Sequence, residues 1–272
     1  VRTRDEDLGG VPARRFVPPD AGDGVVLYFH GGSYVYGSAK STHADLLARI
    51  ALAARVTVVG VDYRLAPEHP YPAQLEDALA AFEALRSAGT PAHKIVLSGD
   101  SAGGHLAIMT QIALRNRKAK LAAALALISP WSDPTMPGAS FVSNDPYDFG
   151  SREVLRRQAR MVFGAQSLDD PMVSPVRADL NHLGPVHLQW GELEICRDDI
   201  EVLAARFGSA SGVALESHVA PDMPHDPPVF ADFHPSGKAA LDALCAFVTT
   251  QLAREDECAH AESARASQLD VS

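Results

Sequence analysis

Apolar residues along this chain gather into short continuous runs, separated by longer stretches in which they recur every three or four positions. The runs predict strands near 11–17, 25–30, 56–62, 94–98, 121–128, 186–190 and 213–219. The periodic stretches predict helices near 41–54, 72–87, 102–116, 152–163, 199–209 and 236–252. Several strands, VTVVGVDY and LAAALALIS among them, are apolar throughout, as a strand must be when helices cover both of its faces. Strand and helix alternate, so the expected fold is α/β, with a mostly parallel central sheet and helices on both faces. One stretch breaks the alternation: residues 132–175 are too long for an ordinary connection and read as a helical lid or cap insertion. The body of the fold would then be 1–131 and 176–253, followed by a polar, aperiodic tail at 254–272.

Composition narrows this picture mainly by exclusion. At 272 residues and 46% apolar, the chain can bury the core of one large domain. A net charge of −10 with dispersed Lys and Arg excludes a nucleic-acid surface, which needs clustered positive charge. No apolar run reaches the roughly 20 residues of a membrane span, and VRTRDEDLGG lacks the apolar stretch of a signal peptide, so a cytoplasmic protein is expected. A start on Val1 leaves room for a preceding segment, and homodimerisation is an open expectation. Cys196, Cys245 and Cys258 are odd in number and show no zinc spacing, which fits reduced thiols.

Two glycine-bearing breaks carry the chemistry. In KIVLSGDSAGGHLAIMT a strand ends in Gly99-Asp100-Ser101-Ala102-Gly103 and a helix begins at once. This is G-x-S-x-G in a strand–turn–helix setting, where the tight turn presents the central serine and the flanking glycines let strand and helix approach. The simpler alternative is a glycine-rich turn in which Ser101 only caps the helix. In VVLYFHGGSYVYGS an apolar strand breaks into His30-Gly31-Gly32. Acyl transfer through a serine creates an oxyanion that needs pre-aimed donors, and the N–H groups of Gly31, Gly32 and Ala102 are the candidates. His30, at a strand end, is read as a loop-fixing residue.

A serine nucleophile needs a base, and the base needs an orienting carboxylate. The elbow implies the chain order Ser, acid, His. His225, in the loop after the strand at 213–219, is the candidate base, with His218 and His234 as alternatives. Glu194, just beyond the strand at 186–190, is the candidate acid. Asp198 is the alternative acid and Glu192 a further one, while Asp198 and Asp199 also read as an N-cap with favourable charge at a helix start. A histidine base predicts an acid limb of kcat/KM near about 6–7.

Taken in order, His30-Gly31-Gly32-Ser33, Asp62-Tyr63-Arg64-Leu65-Ala66-Pro67-Glu68, Gly99-Asp100-Ser101-Ala102-Gly103-Gly104, Ser129-Pro130-Trp131-Ser132-Asp133 and Asp222-Met223-Pro224-His225 resemble the bacterial hormone-sensitive-lipase family of α/β-hydrolase carboxylesterases. The similarity spans about residues 10–250. The resemblance implies Ser101 as nucleophile, His225 as base, an oxyanion hole at Gly31, Gly32 and Ala102, and hydrolysis of small-molecule esters with short or medium acyl groups, without metal or cofactor. The family's acid is most often Asp; Glu194 stands in that place here. Ser33 replaces a common glycine, Asp226-Pro227-Pro228 replaces the usual Gly-Phe after the base, and fewer residues precede the first strand than the family carries, so an open site is expected. Phe141, Tyr147, Phe149, Met161 and Phe163 are the insertion residues placed to touch substrate or, equally, to pack in the core. The same triad would serve a deacylase or lactone hydrolase acting on a natural product. A non-catalytic binding homologue, such as the plant gibberellin receptors, loses the histidine that this chain keeps.

Overall fold

The structure is a computed structural model that describes residues 1–269, with side chains through residue 253. Its centre is an eight-stranded sheet in the order β1-β2-β4-β3-β5-β6-β7-β8. The strands are β1 (Arg2–Asp7), β2 (Pro12–Val17), β3 (Val25–Phe29), β4 (Thr57–Val61), β5 (Ile95–Asp100), β6 (Ala124–Ile128), β7 (Gly184–Gly191) and β8 (Val213–Ala220). From β4 to β8 across the sheet all pairings are parallel; β1 and β2 pair antiparallel at one edge.

Strand β3 shows why the central runs are apolar at every position. Val25, Leu27 and Phe29 face a layer built on α2 (Ala73–Ser87), α3 (Ala102–Asn116) and α6 (Arg197–Ser209). Val26 and Tyr28 point the other way, into the layer of α1 (Ala44–Ala54) and α7 (Pro235–Leu269). With both faces covered, each fully buried Val, Leu or Phe contributes about 1.5–3 kcal/mol. The order of strands places β3 between β4 and β5, so crossovers from β3 and β5 leave in opposite directions. A crevice opens at their carboxyl ends, the usual place for a ligand in a sheet of this kind.

Strand β1 has no hydrophobic signature, and the apolar pattern does not predict it. RTRDED is held to β2 by charge instead: Arg14 pairs with Asp5 at 2.8 Å and Arg15 with Glu6 at 3.0 Å. Charged side chains of this kind also keep an edge strand from pairing with other chains. The helix expected at 236–252 runs Pro235–Leu269, and the tail expected at 254–272 lies outside the residues whose side chains are described.

The segment 132–175 between β6 and β7 carries a short helix α4 (Ser140–Ser143) and α5 (Arg152–Phe163). Ser151 caps α5 by accepting from Val154 N–H. Buried Ala159, Val162 and Phe163 seat α5 on the body of the domain, where Phe163 packs edge-on against Tyr71 and the Val162 carbonyl accepts from Tyr71 N–H. No helix among the described residues is long and apolar enough to cross a membrane.

Candidate active site

Ser101 sits between β5 and α3 at φ 51°, ψ −119°, a conformation that L-residues rarely adopt. The turn is possible because its neighbours lack side chains. A Cβ on Gly103 would meet the Phe29 carbonyl oxygen at 1.9 Å, and one on Gly99 would meet the Gly103 carbonyl carbon at 2.4 Å. Ser101 N–H donates to the Ile128 carbonyl at 2.9 Å and its own carbonyl accepts from Trp131 N–H, so β6 braces the turn from the side. Ser101 opens into a cavity of ≈ 310 Å³ whose wall also includes Gly32, Ser33, Phe149, His225 and Asp226.

The carboxyl ends of β7 and β8 supply the next two groups. Glu194 is fully buried, and its Oε2 accepts from His225 Nδ1 at 3.1 Å. Burial raises the Glu194 carboxyl above its ordinary value, opposed by the hydrogen bonds from His225 and Ser129. Ser101 and His225 share the cavity, and no hydrogen bond joins them among the described residues. Such bonds commonly tighten only when substrate is bound. His218 lies in β8, His234 precedes α7, and neither lines the cavity.

The alternative acids are engaged elsewhere. Asp198 accepts from Ser140 N–H at 2.9 Å and pairs with Arg197. Asp199 accepts from Gly138 N–H at 2.9 Å; burial and the charge of Asp133 push its carboxyl up to about 7. Neither is an N-cap: Cys196 occupies that position, and both aspartates lie in the first turn of α6, tying down the 132–175 segment. Glu192 accepts from Asp222 N–H at 3.2 Å. Burial, then the Glu194 charge, pushes the Cys196 thiol well up, away from a reactive thiolate.

The loop after β3 departs from expectation in one respect. Gly31 N–H points at His43 Nε2 (3.2 Å), and Gly31 is not part of the cavity wall. The N–H groups of Gly32, Ser33 and Ala102 have no acceptor among the described residues, and Gly32 and Ser33 do line the cavity. Gly31 is needed for a different reason: a Cβ there would meet Asp100 Oδ2 at 2.1 Å. His30 is buried, stacked on Tyr63 with centroids 4.3 Å apart, and bonded through Nδ1 to the Gly31 carbonyl at 2.7 Å.

Several groups at the site carry no motif and escape a reading of the chain. Asp100, the variable residue of the elbow, accepts from Tyr28 OH at 2.7 Å, and its Oδ2 lies 3.1 Å from His43 Nε2. Burial opposes ionisation of both Asp100 and His43, yet their mutual attraction prevails, lowering the carboxyl and raising the imidazole. Asp226 adopts a left-handed conformation, φ 57°, which brings its Oδ2 within 3.6 Å of His225 Nε2. Of the five apolar insertion residues singled out above, Phe149 lines the cavity, whereas Phe141 and Phe163 are buried in the core. No group of three or more His, Cys, Asp or Glu among the described residues is arranged to hold a metal ion.

Residues 26–228 match the α/β-hydrolase fold family. An acetyl-hydrolase of Streptomyces hygroscopicus is 36% identical over 246 residues, covering 86% of this chain and 79% of that protein. A carboxylesterase of Mycobacterium tuberculosis is 35% identical over 233 residues, covering 81% and 72%. Among solved structures, an esterase of the bacterial hormone-sensitive lipase family superposes with a TM-score of 0.89 at 40% identity, covering 92% of this chain and 84% of that one. A hormone-sensitive lipase from a metagenome library gives a TM-score of 0.88 at 34% identity, covering 92% and 84%. The chain belongs to the bacterial hormone-sensitive lipase family of α/β-hydrolases.

Proposed function

We propose that this protein is a serine carboxylesterase acting on short- to medium-chain acyl esters through an acyl-enzyme intermediate. The observation that carries the reading is the Glu194–His225 hydrogen bond, opening onto the cavity where Ser101 stands in a strained turn. His225 Nε2 takes the proton from Ser101 Oγ as that oxygen bonds to the ester carbonyl carbon, and Glu194 holds the imidazole in the matching tautomer. The tetrahedral oxyanion is met by the free N–H groups of Gly32, Ser33 and Ala102, the last at the positive end of α3. Collapse breaks the bond to the alcohol, which leaves with the proton from His225. Water activated by the same imidazole then releases the acid.

The cavity supports the reading of a short acyl group. At ≈ 310 Å³ it lies at the small end of ligand sites, which span about 300–1,000 Å³. Relatives named as acetyl-hydrolases and carboxylesterases point the same way. With p-nitrophenyl esters of increasing acyl length, kcat/KM is expected to peak within the first about eight carbons and then fall, since each methylene that does not fit costs about 1–3 kcal/mol. A steady rise to long-chain esters would contradict the reading.

The charges around the base set its pH dependence. Burial disfavours the imidazolium, but Asp226, Glu194 and Asp148 together outweigh it and push His225 up to about 10. Asp226 is itself raised, by burial and by the charges of Asp100 and Glu194, against the opposing attraction of His225. Only neutral imidazole can accept the serine proton, so activity is lost as pH falls through the raised value. The acid limb of kcat/KM is expected above the ordinary histidine value of 6.5, and Asp226→Asn should move it downward. A wild-type limb at or below 6.5, unmoved by the substitution, would contradict this assignment.

A further inference from the structure

The loop from Glu192 to Cys196 is bonded partly within its own half of the sheet: Glu194 N–H donates to the Gly191 carbonyl and the Glu194 carbonyl accepts from Arg197 N–H, each at 3.3 Å. Glu192 N–H donates to the Ala220 carbonyl at 3.0 Å and Leu193 N–H to the Met223 carbonyl at 2.9 Å. The segment inserted after β6 adds a second set of bonds around Glu194. Asn144 Nδ2 donates to the carbonyls of Glu192 at 3.3 Å and Glu194 at 3.0 Å. Asp148 Oδ2 accepts from Ile195 N–H at 2.8 Å, and its Oδ1 accepts from His225 N–H at 3.4 Å. Ser140 Oγ donates to the Ile195 carbonyl at 2.7 Å. Phe149 lays its ring against the His225 imidazole, centroids 5.8 Å apart.

Asp148 thus spans the two loops that carry the carboxylate and the imidazole, with one oxygen on each. Asn144 is 6% exposed and ties the backbone on either side of Leu193. We propose that Asn144 and Asp148 are positioning residues for the reaction: they clamp the Glu194 loop against the His225 loop, making the insertion a structural part of the catalytic pair as well as a cover over the cavity. The inference rests on the reading of Glu194 and His225 as acid and base. Neither side chain is placed in a reacting role, so each acts through the pair it holds. Loss of the clamp lets carboxylate and imidazole drift apart by a fraction of an ångström to an ångström, and an error of that size can cost about 10²-fold in rate.

The experiment compares Asn144→Ala, Asp148→Ala and Asp148→Glu with wild type and with Glu194→Gln, using p-nitrophenyl acetate and proteins shown to be folded by their thermal melts. Asn144→Ala and Asp148→Ala are expected to lower kcat by about 10–100-fold with KM within about threefold, because geometry rather than binding is lost. Asp148→Glu keeps both acceptor oxygens and is expected to recover part of kcat, a rescue that a merely stabilising role would not give. Should Asp148→Ala fail to fold, Asp148→Asn, which keeps one acceptor oxygen, carries the same test. Unchanged kcat in the folded Asn144 and Asp148 variants, beside an inactive Glu194→Gln, would overturn the clamp alone; so would a raised KM with kcat intact, which would assign the insertion to substrate binding. A Glu194→Gln protein near wild-type activity would overturn the acid assignment and the clamp with it.

Discussion

Replacing Ser101 with alanine is expected to lower kcat by several orders of magnitude while leaving the melting transition in place. In the proposed reaction Ser101 supplies the nucleophile that forms the acyl-enzyme, and its backbone stands in a sparsely populated conformation at the wall of the cavity. The hydroxyl is not needed for the fold: Ser101 caps α3 without a side-chain hydrogen bond, so alanine removes no cap. Residual catalysis of about 10³–10⁴ over water is expected from the oxyanion donors and substrate binding. Steady-state rates on p-nitrophenyl acetate measure this directly, and activity within about tenfold of wild type in the folded variant would remove Ser101 from the nucleophile's role.

Glu194→Gln should be nearly as damaging, with a loss that can reach about 10⁴-fold in kcat. The amide keeps the shape of the side chain but removes the charge that steadies the imidazolium, and its NH₂ can turn toward Nδ1 and impose the wrong tautomer. Glu194 is fully buried, so solvent cannot substitute for the missing carboxylate. Asp198→Asn is the control. Its oxygen still accepts from Ser140 N–H, and activity is expected to stay within about tenfold. Should the aspartate variant be the inactive one and the glutamine variant active, the orienting carboxylate lies instead in the first turn of α6.

What could be read from the chain and what could not divide along a physical line. The five consecutive apolar residues of β3 and the glycines of the elbow are local signals, set by burial on both faces and by the approach of Gly103 to the Phe29 carbonyl. The meeting of Glu194 and His225 has a related origin, since both follow strands whose carboxyl ends face the same crevice. Strand β1 is invisible to hydrophobic pattern because ion pairs and backbone pairing hold it. The direction of the Gly31 N–H depends on where His43 lies, twelve residues on and beyond a loop, which no local pattern encodes. Asp148 and Asn144 are polar residues in an aperiodic segment, and their partners lie 47 and 77 residues away for Asp148 and 48 and 50 for Asn144. Asp198 and Asp199 read as helix caps from the chain because acids at a helix start favour that position; their oxygens turn instead to backbone amides of the insertion.

The central claim, that Ser101 forms an acyl-enzyme with His225 as its base, is tested most directly by covalent trapping. A fluorophosphonate carries a tetrahedral phosphorus that accepts the serine oxygen and expels fluoride, leaving a stable adduct whose position peptide mass spectrometry can read. The account predicts one adduct per chain, on the peptide containing Ser101, with loss of esterase activity in step with labelling, slower labelling in Glu194→Gln and none at this peptide in Ser101→Ala. Labelling at another residue, or full ester hydrolysis in a protein that resists the reagent, would contradict it.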